Sequence, residues 1–270
     1  MSFFSMFGKR KVTLGLALGG GGAKGMAHVG AIKAFEELGV KFDIVAGTSI
    51  GSIVGGLYAM NATADEMYYL AKKVDFSKIK GSSALSILPT DSKKIETPLK
   101  EIFGERAAET LDKPFCAVAV DLVTGKEVDF TEGKMYKICS GSSAYVPFFK
   151  PVEYNDMHLV DGAFLNEVPC DVCKKMGADV VVGIDLSEFN KRGTSSLKTF
   201  DVILGVYGIC ASESGSRGKS FADFMFKPNL KDFTPLSTKS LDEMFEIGYA
   251  VVKDNFDEMK RILKRKGVTF

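Results

Sequence analysis

Hydrophobic and polar positions alternate in two strand–turn–helix units at the start of the chain. Val12 to Leu18 is a β-branched and leucine-rich run ending in four glycines, the pattern of a buried strand entering a tight turn. Beyond it, Ala27, Ile32, Ala34, Phe35 and Leu38 fall at helical spacing, and Gly39 supplies a C-terminal stop. Phe42 to Ala46 predicts a second strand, Gly47 to Gly51 a turn, and Ser52 to Met60 a helix rich in small residues. Both turns lie at the C-terminal ends of strands. An open α/β sheet binds ligands there, because strand ends and helix N-termini converge at that edge.

The rest of the chain keeps alternating. Helices are expected over 64–74, 92–103, 134–144 and 168–176, with Pro89 and Pro98 marking irregular stretches. Strands are expected over 115–120 and 126–130 around Thr124-Gly125, over 157–160 running into Asp161-Gly162, and over 179–184. Residues 189–198 are polar and contain glycine and serine, which reads as a surface loop. A helix near 201–212, a short strand at 224–226 and a long amphipathic helix from 241 to about 263 complete the pattern. Strands alternating with helices indicate an α/β fold. No internal repeat interrupts it, so residues 12–270 read as one domain after an N-terminal segment, 1–11.

Composition narrows the function classes. With 270 residues, 46% of them hydrophobic and 26% charged, the chain can bury a substantial core. A formal net charge of +1 lacks the basic excess of a nucleic-acid binder, so no nucleic-acid partner is expected. Five cysteines, with only Cys170 and Cys173 close together, imply no disulfide framework and fit a reduced, cytoplasmic setting. No run approaches the length needed to cross a bilayer. In the N-terminal segment, Phe3, Phe4 and Phe7 precede Lys9, Arg10 and Lys11, the reverse of a secretory signal. A frayed terminus is the favoured reading of this segment; a weak interfacial anchor, giving transient contact with the inner membrane face, is the alternative.

Two motifs carry the chemistry. Gly47-Thr48-Ser49-Ile50-Gly51 matches G-x-S-x-G, in which a sharp strand-to-helix turn presents the serine hydroxyl and the glycines remove clashing side chains. The bland alternative makes Ser49 a helix N-cap. Gly19 to Gly25 opens the first helix and presents amide donors and a helix dipole to an anion. Gly20, Gly22 and Gly25 satisfy G-x-G-x-x-G. However, Lys24 is followed by Gly25, so this is no Walker loop, and the acid of a dinucleotide site is missing after the second strand. The other anion such a loop serves is the oxyanion of a tetrahedral intermediate.

A serine nucleophile needs a base, and the only histidines are His28 and His158. His28 precedes the serine, one turn into the glycine-loop helix, and reads as a packing or hydrogen-bonding residue. His158 would require an acid between residues 50 and 157, with Asp121 or Asp129 as candidates lacking any motif. Asp161 is the better base: Gly162-Ala163 leaves its carboxylate unobstructed at a strand end. Three residues from His158 along a strand, it points to the opposite face, so the two are not one relay. A carboxylate acting directly on a serine requires a water-poor site. Cys170 and Cys173 have C-x-x-C spacing but no second pair for a metal, and read as packing residues.

Together these motifs resemble the patatin-like phospholipase family, in its short bacterial form. Its pattern is a glycine-rich oxyanion loop with a basic residue, then G-x-S-x-G, then D-G-G or D-G-A; here they are Gly20-Gly21-Gly22-Ala23-Lys24-Gly25, the Ser49 motif and Asp161-Gly162-Ala163. Ser142-Ser143-Ala144 with Pro147-Phe148-Phe149, and Asn166 and Pro169, also look like the family, so the resemblance covers about 12–186. Leu18-Gly19 in place of Asp before the glycines, and Ala163 in place of Gly, depart from it without removing a catalytic group. The resemblance implies a three-layer α/β/α fold with a mainly parallel sheet and a Ser49–Asp161 dyad hydrolysing acyl-ester lipids. It also implies an oxyanion hole at Gly20, Gly21, Gly22 and Ala23 with Lys24 nearby, and no metal or cofactor. A nucleotide-binding module, an esterase with a Ser-His-Asp triad through His158, and a lipid-binding protein with little catalysis are the alternatives.

Overall fold

The period-2 pattern of the strands becomes the two faces of one sheet in the computed structural model, which describes residues 11–73, 90–146, 148–187, 209, 212–235 and 237–269. The N-terminal segment 1–10, the expected loop at 189–198 and most of the expected helix at 201–212 lie outside the described residues. The first half supplies β1 (Leu14–Leu18), α1 (Met26–Glu37), β2 (Ile44–Thr48), α2 (Ile50–Ala59), α3 (Ala64–Lys73), α4 (Lys93–Phe103), β3 (Phe115–Asp121) and β4 (Lys126–Phe130). The second half supplies α5 (Met135–Ser142), β5 (Val152–Tyr154), β6 (Met157–Asp161), α6 (Cys170–Lys175), β7 (Val180–Ile184), β8 (Phe224–Phe226) and α7 (Leu241–Arg265).

The strands form one sheet in the order β5-β6-β3-β2-β1-β7-β8, with β4 also on β3. β8, β7, β1, β2 and β3 run parallel, whereas β4, β5 and β6 add antiparallel pairings at one end. The fold is thus α/β with a mixed, mainly parallel sheet. Alternate residues face different cores. Leu14, Leu16, Leu18, Val45, Phe115, Val180 and Val182 join the larger core with α1, α2, α4, α5 and α7. Ala17, Ile44, Ala46, Cys116 and Val181 face a smaller one. Cys170, Val172 and Cys173 of α6 cover that second face, and small sheet residues let the helix sit close: a Cβ on Gly15 would lie 2.8 Å from the Ala178 Cβ.

Three details differ from the sequence pattern. β5 was not expected; it forms a hairpin with β6 through Asn155-Asp156, whose positive φ values of 49° and 60° suit a tight turn. Pro98 lies inside α4 instead of breaking it. The expected helix at 168–176 shortens to α6, because Pro169 at its N-cap lies outside helical geometry. No helix of the described residues is long and apolar enough to cross a membrane.

Candidate active site

Two strand ends meet to make the site. β2 lies on one edge of β3 through Phe115 to Val118, and β6 continues along that edge in the opposite direction, since β4 occupies the other edge. Thr48 pairs with Val118 and Asp161 with the next residue, Ala119. The C-terminal ends of β2 and β6 therefore point at each other. Ser49, just past β2, and Asp161, the last residue of β6, become neighbours although 112 positions apart.

Ser49 occupies a strained turn. Its φ of 54° and ψ of −127° are unusual for a side-chain-bearing residue, a conformation that costs about 1–3 kcal/mol and persists only when its surroundings enforce it. Here they do. Its N–H donates to the Ser142 Oγ at 2.9 Å, and that hydroxyl donates to the Val118 carbonyl at 2.5 Å. Its carbonyl accepts from the Ser52 hydroxyl at 2.7 Å, and the preceding Thr48 hydroxyl donates to the Asn166 carbonyl at 2.8 Å. The turn's glycines are steric necessities: a Cβ on Gly51 would lie 2.1 Å from the Leu18 carbonyl oxygen, and one on Gly47 2.2 Å from that of Gly51. The Ser49 hydroxyl does not cap α2. It donates to Asp161 Oδ2 at 2.6 Å, so the N-cap alternative is corrected by the geometry.

Asp161 is 1% exposed, and its other oxygen accepts the Ala163 N–H at 2.9 Å. A Cβ on Gly162 would lie 2.2 Å from the Val118 carbonyl oxygen, so only glycine lets the chain leave β6 at this angle. Burial raises the Asp161 pKa to about 6 against the lowering effect of its bonds to Ser49 and Ala163. The carboxylate is thereby a stronger base than one in water.

The glycine loop abuts this pair. Gly25 packs so tightly on Ile50, the first residue of α2, that a Cβ there would lie 2.2 Å from Ile50 Cγ1, which locks the loop to the serine turn. The amides expected to share an oxyanion are not equivalent. That of Gly20 donates to the Glu167 carbonyl at 3.2 Å and that of Ala23 to the Pro235 carbonyl at 2.8 Å. Both are thus engaged within the chain, whereas Gly21 and Gly22 donate to no described backbone acceptor. Lys24 is 4% exposed, beneath the loop. His28 is fully buried, bonds the Gly19 carbonyl through Nε2 at 2.8 Å and has its pKa lowered to about 4 by burial. It is a neutral brace for the loop.

The histidine alternative is not assembled. His158 is exposed on the β5–β6 hairpin, and its backbone N–H donates to Asp121. Asp121 also receives the N–H groups of Val123 and Thr124 in the β3–β4 turn, and Asp129 pairs with Lys175. Cys170 and Cys173 are buried free thiols in the smaller core. Sequence reasoning assigned no role to Ser142 as the clamp on the Ser49 amide, and missed Glu167, whose side chain abuts Gly20. Nothing in local spacing marks either, since both reach the site through pairings distant in sequence.

An α/β sheet with a strained serine elbow facing a buried carboxylate defines a recognisable class, and comparison with known proteins agrees. The family described as patatin-like phospholipase matches residues 16–174, and the chain belongs to that family. It is 26% identical to the lysophospholipase nte1 of Aspergillus niger over 92% of this chain and 18% of that protein. It is also 33% identical to the patatin-like phospholipase domain-containing protein ZK370.4 of Caenorhabditis elegans, over 66% of this chain and 14% of that one. The chain thus spans under a fifth of these relatives. Among solved structures it resembles VipD from Legionella pneumophila, with a TM-score of 0.59 and 12% identity over 92% of this chain and 67% of the other.

Proposed function

We propose that this protein hydrolyses acyl esters of lipids through a covalent Ser49 acyl-enzyme, with Asp161 as base. The observation that carries the proposal is the 2.6 Å hydrogen bond from the Ser49 hydroxyl to a carboxylate shut off from water. Asp161 takes the hydroxyl proton as Ser49 Oγ attacks the ester carbonyl, and the carbonyl oxygen becomes an oxyanion. In this reading the amides of Gly21 and Gly22, which donate to no described backbone acceptor, and the positive end of α2 stabilise that charge, with the buried Lys24 adding positive field. The alcohol leaves, and water then releases the acid. The names of the relatives make phospholipids and lysophospholipids the first substrates to examine.

A nucleotide-binding reading is disfavoured because two of the loop amides a phosphate would need already bond the Glu167 and Pro235 carbonyls. The test is a panel of phospholipids, lysophospholipids, triacylglycerols and aryl esters, run with wild type and Ser49→Ala beside labelling by a fluorophosphonate. Wild type should hydrolyse lipid esters and be labelled. Ser49→Ala should be unlabelled and slower by at least about a thousandfold. Labelling or turnover that survives the substitution would overturn the assignment.

A further inference from the structure

A second carboxyl stands beside the dyad with no hydrogen bond to its side chain from any described residue. Glu167 follows the Asp161 turn by six positions, and its backbone is fixed at both ends: its N–H donates to the Gly215 carbonyl at 3.0 Å and its carbonyl accepts the Gly20 N–H. The side chain folds over the Gly20 Cα. At the point where a Cβ on Gly20 would sit, Glu167 Oε1 is 3.0 Å away, the Ser49 Cβ 3.4 Å and the Ala163 Cβ 3.6 Å. The carboxyl therefore borders the same small space as the nucleophile, and the absence of a side chain at Gly20 opens that space. Glu167 is only partly buried and no described residue hydrogen-bonds its carboxyl, which leaves it accessible from the cleft. A polar group held unpaired at a reaction centre is suited to an acceptor or donor that arrives with the substrate.

Resting on the acyl-hydrolase reading above, we infer that Glu167 is a second catalytic carboxyl, which protonates the oxygen of the departing alcohol and later accepts a proton from the attacking water. The steps balance. Ser49 Oγ attacks the carbonyl carbon and its proton passes to Asp161 Oδ2. The bond from carbon to the alcohol oxygen then breaks, the electron pair stays on that oxygen, and the Glu167 O–H proton moves to it, leaving acyl-Ser49, protonated Asp161 and ionised Glu167. In the second half, water attacks the acyl carbon as Glu167 takes one of its protons. The ester bond to Ser49 breaks as Asp161 returns its proton to Oγ. Acid and alcohol are released and both carboxyls regain their initial states.

Such a division of labour needs two carboxyls with different proton affinities. The surroundings provide it. Burial and the neighbouring Asp161 carboxylate push the Glu167 pKa up to about 8, with Asp185 acting in the same direction and Lys219 and Lys24 opposing. Lys219 is itself paired with Asp185 at 2.9 Å. His28, behind the loop, is neutral. These surroundings hold a proton on Glu167 more tightly than on Asp161.

The test compares an alkyl ester, a long-chain lysophospholipid whose alkoxide needs a proton to leave, with a p-nitrophenyl ester of the same acyl chain, whose phenolate leaves unaided. In Glu167→Ala, kcat/KM should fall on the order of a hundredfold for the alkyl ester and by a clearly smaller factor for the aryl ester, with fluorophosphonate labelling of Ser49 retained. Glu167→Gln, which keeps the shape and an N–H donor, is the second variant, and the alkaline fall in its alkyl-ester pH profile should disappear. Equal losses on the two esters, or an alkaline limb unchanged in Glu167→Gln, would overturn the role of Glu167. Those outcomes would leave the dyad standing, whereas turnover in Ser49→Ala would remove the dyad itself.

Discussion

The proposed reaction asks two things of the Asp161 carboxylate that conflict energetically. It must be ionised to receive the Ser49 proton, yet it is 1% exposed and disfavours its own charge. Asp161→Asn keeps the volume and an acceptor for the Ala163 N–H while removing the base. The variant is expected to lose at least about a thousandfold in kcat, measured on any ester the wild type turns over, while circular dichroism stays unchanged. Loss of fluorophosphonate labelling would accompany it, because the Ser49 hydroxyl would no longer have a proton acceptor. Ser49 and Asp161 stand out in the sequence by the motifs around them. Their contact does not, since it depends on two strands sharing one edge of β3.

At the scale of elements, the site rests on how α1 is held. This helix carries the glycine loop at its N-terminus and His28 one turn in, and it is covered by α7 at a crossing where the backbones nearly touch. A Cβ on Gly30 would lie 1.9 Å from the Phe245 carbonyl oxygen, and one on Gly248 2.0 Å from that of Ala27. Gly248→Ala must push the helices apart at an expected cost of about 1–3 kcal/mol, on the order of 5 °C in Tm. A thermal melt measures this, and Ser49 labelling well below the transition should survive. An unchanged Tm would show that the crossing has slack. The sequence marked α7 as amphipathic and α1 as apolar at helical spacing. That two glycines 218 positions apart, Gly30 and Gly248, serve the same close approach could be read only from the packed helices. β5 was missed for a related reason: three residues carry little periodicity, and only its pairing with β6 makes it a strand.

The whole molecule registers the site through pH. A buried acid with a pKa raised to about 6 contributes stability that is fully present below its unfolded value, near 4, and lost as pH rises through 6. Wild type therefore folds above pH 6 with an ionised Asp161 that it would be more stable without. Relative to wild type, Asp161→Asn should gain about 2–3 kcal/mol of stability between pH 4 and pH 7.5, measured by urea unfolding at the two values. A stability difference independent of pH would show that Asp161 is not desolvated in solution. Activity should run the opposite way at the acid end, rising as Asp161 ionises through about 6.

What the sequence by itself determined is the local grammar: strands of period two, helices of period 3.6, and glycines wherever the chain must turn sharply, as at Gly47, Gly51 and Gly162. These depend on short-range sterics and on apolar spacing, which neighbouring residues suffice to specify. Only the tertiary structure decided that β2 and β6 converge and that Gly20 and Ala23 donate their amides to distant carbonyls. It alone places Ser142 against the Ser49 amide and Glu167 against Gly20. Each depends on pairings between remote segments, and burial, which tunes both carboxyls, is a property of the assembled core, absent from any window of sequence.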